Sequence, residues 1–184
     1  MRALTVRQRP WLFFCIKNYL DKLYQQNFLN ALSLLNILPT YVRIIVMNNI
    51  DLAKTTLLEN KHSIVVVKEN NVVYKSDKNG LLPIIDVYDS DKNILKDAAV
   101  ADKVIGRAAA LILIEANISK LYAQLISENA ISILDNTNIE YEYDKKVKEI
   151  RNRDNTGMCP MEELSLATDN ADELIKKVKE KFNK

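Results

Sequence analysis

The sequence is short of the residues that build disulfide frameworks and metal sites. Its 184 residues include only two cysteines, Cys15 and Cys159. Two isolated thiols make no disulfide framework, so a reducing cytoplasm is the expected compartment. His62 is the single histidine. No apolar run approaches the roughly 18 residues that span a bilayer, so stable membrane insertion is not expected. Internal repeats and low-complexity stretches are absent as well. Beyond residue 46 the acids slightly outnumber the bases. No face there is basic enough to track a phosphate backbone, which excludes nucleic acid as a partner.

What is present suffices for a globular core. The chain is 48% hydrophobic and 27% charged, and its length suits one domain with an appendage. Two compositions meet at Met47. Residues 1–46 carry Arg2, Arg7, Arg9, Lys17, Lys22 and Arg43 against the lone acid Asp21, and hold more than half of the aromatics. The apolar run 11–16 is ended by Lys17, too early for the roughly 7–15 residues of a signal-peptide core. Trp11, Phe14, Leu20, Leu23, Tyr24, Phe28, Leu32 and Leu35 recur at helical spacing. The favoured reading of 1–46 is upstream sequence, with translation starting at Met47. A partner-binding helix and a membrane-surface helix are the alternatives. Residues 47–184 form the domain.

Within it, spacing predicts a first helix over 51–59, then a β-branched strand over 62–69. A tight turn at Asn70-Asn71 returns the chain through a second strand, 72–76. Pro83 suits the first turn of a short helix reaching Tyr88. The Ala- and Leu/Ile-rich stretch 102–116 reads as a central helix, apolar nearly all round. A strand over 120–127, a helix over 128–137 and a strand over 139–143 follow. Two helices, 161–167 and 171–182, close the chain. A hairpin followed by strand–helix–strand passages predicts an α/β protein, a three-layer α/β/α sandwich on a mixed sheet.

Three stretches carry a resemblance. They are Asp102-Lys103-Val104-Ile105-Gly106-Arg107-Ala108-Ala109-Ala110, Tyr122-Ala123-Gln124-Leu125-Ile126-Ser127-Glu128, and Asn152-Arg153-Asp154-Asn155-Thr156-Gly157-Met158-Cys159-Pro160-Met161-Glu162. From about Met47 onward the chain resembles the prokaryotic family known as domain of unknown function eighteen-ninety-three, which belongs by fold to the cytidine-deaminase-like superfamily. Zinc deaminases of that superfamily hold their metal with a His or Cys opening the second helix and a Cys-x-x-Cys opening the third, and a Glu shuttles the proton. This chain has no His-x-Glu, Cys-x-Glu or Cys-x-x-Cys. The resemblance therefore implies the fold without the zinc, and neither a metal nor another cofactor is expected.

In such a fold two helix N-termini face one pocket, and their unpaired N–H groups suit an anion. The expected ligand site combines Asp102, Lys103, Gly106 and Arg107 at the second helix with Ser127 and Glu128 at the third. Lys103 and Arg107, at i and i+4, would add positive charge, and Gly106 would let a ligand approach the backbone. Asn152, Arg153 and Thr156 would close over it from the polar loop 152–162. The same residues also suit a solvated face, a packing glycine, a cap and a structural turn.

The leading expectation is thus a non-zinc, deaminase-like domain binding a small anionic ligand, nucleotide-like by fold analogy. A cysteine-dependent enzyme is the second reading. Cys159 lies just before a helix begun by Pro160, where a thiolate is favoured, and Asp154 or Glu162 would assist proton transfer. The third is a homo-oligomeric interaction module with a vestigial pocket.

Overall fold

Asn48 begins the first helix by capping it. Its side-chain oxygen accepts the amides of Ile50 (3.0 Å) and Asp51 (3.1 Å), opening α1 (Asn49–Asn60). The computed structural model describes residues 48–182. The basic, aromatic block 1–46 and its helical pattern lie outside the described residues.

Lys61, in the left-handed region, ends α1 and the chain enters β1 (Ile64–Lys68). The hairpin to β2 (Asn71–Ser76) turns at Glu69 and Asn70, both at positive φ. This is the two-residue turn that right-twisted strands favour, one residue earlier than expected. Next come α2 (Leu82–Ser90) with Pro83 in its first turn, the short α3 (Lys92–Leu95) and β3 (Ala99–Ile105). Then follow α4 (Arg107–Glu115), β4 (Lys120–Ser127), α5 (Glu128–Leu134) and β5 (Glu140–Val147). A loop leads to α6 (Pro160–Leu166) and α7 (Ala171–Phe182).

β3 corrects the sequence reading. The expected helix over 102–116 is a strand through Ile105, a cap at Gly106 and a helix only from Arg107. Alanine favours helices, and the helical run 108–114 draws Asp102–Ile105 into one reading, a stretch too short to show a period that separates a buried strand from a buried helix. Tertiary pairing decides it. Ala99–Ile105 is wedged between β1, its antiparallel neighbour, and β4, its parallel one, so both edges of its backbone are bonded.

The sheet order is β2-β1-β3-β4-β5, with β4 and β5 also parallel, so the sheet is mixed as expected. One face packs on α2, α4, α5 and α7 through Val66, Val100, Ile112, Leu121, Leu134 and Leu174, all essentially inaccessible. The other face lies under α1, whose Ile50, Ala53 and Leu57 meet Val65, Val67, Ala101 and Tyr122. Among the described residues no helix is long and apolar enough to cross a membrane.

Candidate functional site

The second half of β3, bonded antiparallel to β1 and parallel to β4, leads into the N-terminus of α4. Asp102 lies there and is buried at 8% exposure. Its Oδ1 accepts the amide of Val104 at 2.8 Å. Burial, only partly offset by that bond and by the charge of Lys103, pushes its pKa up to about 7. The group thus exchanges a proton near neutrality. The antiparallel register of β1 against β3 pairs Ile64 with Asp102 and sets Ser63 opposite Lys103, whose amide donates to the Ser63 carbonyl at 3.0 Å; Ser63 and Asp102 border the same pocket. The Ser63 hydroxyl is buried and, among the described residues, has no hydrogen-bond partner. Buried polar groups are rarely left so.

One residue past β3, Gly106 caps α4 without a side chain. Glu162, 1% exposed, supplies what the cap lacks. Its Oε2 accepts the Arg107 amide at 2.7 Å, while its Oε1 accepts the Asn129 side-chain amide at 3.1 Å. A Cβ on Gly106 would stand 2.3 Å from that Oε2 and 3.0 Å from Cγ1 of Ile150. The positive end of α4 is therefore filled by the chain's own carboxylate.

A pocket of about 180 Å³ opens between these elements. Leu81, Ile84 and Met161 provide apolar wall, and Ser63, Asp102 and Cys159 provide its hydrogen-bonding and nucleophilic groups. Lys103 also borders it, but its Nζ donates to the Lys61 carbonyl at 2.7 Å. Cys159 is half-buried at the start of α6, its amide bonded to the Ile150 carbonyl at 2.7 Å. Among the described residues no three His, Cys, Asp or Glu side chains gather as a metal would need.

The family model described as "Domain of unknown function (DUF1893)" matches residues 52–182. The chain belongs to that family. A solved DUF1893 family protein from Thermotoga maritima is similar in structure, with a TM-score of 0.64 at 26% identity. The match covers 70% of this chain and 86% of that one. No curated protein matches.

In this DUF1893 domain the structure gathers only part of the expected site. Asp102, Lys103, Gly106, Cys159 and Glu162 border one pocket. Lys103 and Arg107 do not share a helix face, because Lys103 belongs to β3 and Arg107 begins α4. The Arg107 guanidinium turns away to the carbonyls of Ser165 and Thr168 and to the Asp169 carboxylate, tying down the α6–α7 connection. Gly106 is approached by Glu162, and Glu162 is held by two amide donors at a helix end. Ser127 is a cap: its hydroxyl accepts the Ala130 amide at 3.1 Å. Glu128 pairs with Lys146 at 3.2 Å on the surface.

The polar loop folds on itself. Asn152 accepts the amides of Thr156 and Gly157 and donates to the Thr156 hydroxyl at 2.9 Å. Arg153 and Asp154 are exposed, and no ion pair joins them among the described residues. Neither borders the pocket. Sequence reasoning missed Ser63 and the apolar wall. A serine before a strand carries no mark of its own, since only the folded sheet brings it to the pocket that Asp102 borders.

Proposed function

We propose that this domain binds a small, planar, amine-bearing heteroaromatic ligand of nucleobase size in the Asp102–Ser63 pocket. We further propose that its architecture is a zinc-free, three-layer member of the deaminase-like fold. Helices on both faces of a mixed sheet support the second statement. The first rests on one observation: a buried Ser63 hydroxyl, unpartnered among the described residues, borders the same apolar-walled pocket as the buried Asp102 carboxyl.

An unpaired buried hydroxyl costs about 1–3 kcal/mol, which a ligand acceptor would recover. A carboxyl titrating near 7 matches an exocyclic amine as acceptor and an adjacent ring nitrogen as donor. The anionic ligand expected from sequence does not suit this pocket. Glu162 already holds the helix end, Asp102 ionises inside, and the Lys103 ammonium is turned to a carbonyl. The bound head is therefore neutral or cationic.

The test is a thermal-shift panel of free nucleobases on the full chain. At least one amino-bearing base should raise the midpoint, as any ligand selective for the native state must. Asp102→Asn and Ser63→Ala should each remove that rise. A panel without any shift overturns the reading. Cysteine chemistry stays in view as a second reading because Cys159 shares the pocket with Asp102. Asp102 then replaces Asp154 and Glu162 as the proton-transfer group. Under it Cys159 alkylates rapidly below pH 7 in wild type and slowly in Asp102→Asn.

A further inference from the structure

The pocket does not end at its rim. A second hollow of about 460 Å³ adjoins it, and Val104 and Ile150 border both. Val104, the penultimate residue of β3, has 43% of its surface open to solvent. Leu125 and Val147 continue the apolar floor, and Lys148 and Arg151 stand over it. Among the described residues Lys148 makes no ion pair. The Arg151 guanidinium is held at the rim by the Asn155 carbonyl at 3.1 Å, and the backbone of Arg151 is bridged to Met158. Glu149, at 3.7 Å from Arg151, offsets only one of the two charges.

The two halves of this groove are thus opposite in character. The inner half carries the carboxyl groups of Asp102 and Glu162 with an orphan hydroxyl, and the outer half carries a net positive pair over an apolar floor. Building on the ligand head proposed above, we infer that the ligand also bears an anionic tail, a phosphate or carboxylate, which crosses the Val104–Ile150 ridge and rests against Lys148 and Arg151. The anion expected at the helix end is accommodated at the loop after β5 instead. Its two contacts are solvent-exposed, so this subsite contributes modestly and weakens with salt.

The experiment is amide NMR on the full chain, titrated separately with inorganic phosphate, acetate and cytosine. Phosphate or acetate should move the amides of Val104 and of residues 147–151 at low ionic strength, and the stronger of the two identifies the tail. Lys148→Ala with Arg151→Ala should weaken that response roughly tenfold, the loss expected for two exposed charge contacts. Both side chains are exposed, so the double variant should keep the wild-type spectrum elsewhere. Anion shifts centred on Arg107–Ala109, or an unchanged response in the double variant, overturn the inference. Cytosine reports the head site independently. Cytosine shifts around Ser63 and Asp102 that survive in the double variant support the division into two subsites. Cytosine silence in wild type, with the anion response intact, would sink the head reading and leave the anion subsite in place.

Discussion

The Oε2 of Glu162 occupies the space that a side chain on Gly106 would need, and it accepts the first free amide of α4 from there. A glycine without capping ability and a glutamate on a distant helix thereby act as one cap. Gly106→Ala should force the carboxylate out, leaving the Arg107 amide and the Asn129 side chain unpaired. The expected cost is about 2–4 kcal/mol in urea unfolding. Glu162→Ala should be similarly costly, and the two together clearly less than additive, because the clash vanishes with the carboxylate. Additive losses would show that the two residues do not act as one cap.

Asp102 should make the fold weaken with rising pH. Its folded pKa is raised from 3.8 to about 7, so between those values the native state binds more protons than the unfolded chain. Stability then falls as pH rises through that window and levels off above it, by about 4 kcal/mol in all. Asp102→Asn keeps an acceptor for the Val104 amide and should flatten the slope. Denaturation midpoints from pH 4 to pH 8 check this, and an Asn variant as pH-dependent as wild type would assign the slope to another group.

Ser63→Ala should stabilise the unliganded protein. It exchanges an unpaired buried hydroxyl for a methyl, a gain of about 1 kcal/mol. For a chain of this size that is a rise in Tm of about 2–4 °C. The same substitution should weaken binding of any base that raises the wild-type midpoint. A residue that costs stability and contributes affinity is a binding residue, whereas a purely structural serine would lose stability on truncation.

Arg107→Ala should destabilise without touching the pocket. The side chain holds two backbone carbonyls and Asp169 across the α6–α7 connection, and losing them should cost about 2–3 kcal/mol. Ligand affinity per folded molecule should stay within twofold. Affinity lost together with stability would return Arg107 to the ligand site.

Several features were legible because they depend on neighbours in sequence. The β-branched run before the hairpin, the Asn-rich turn, Pro83 opening α2 and Pro160 opening α6 all follow from local sterics. So does the cap at Ser127, which sits three residues from the amide it accepts. The strand β3 was not legible, since its second half, 102–105, runs without a break into the Ala-rich helix and reads as part of it until both neighbouring strands claim the backbone. That one misreading moved Asp102 and Lys103 from a helix to a strand and dissolved the expected Lys103–Arg107 pair.

The amino-acid sequence by itself determined the α/β alternation, the hairpin and the lack of deaminase-type zinc ligands, because residue inventory and local periodicity suffice for those. Only the tertiary structure decided which carboxyl group meets the α4 N-terminus and which hydroxyl shares a pocket with Asp102. Both depend on strand register and helix docking between residues far apart in the chain, where no local spacing carries the information.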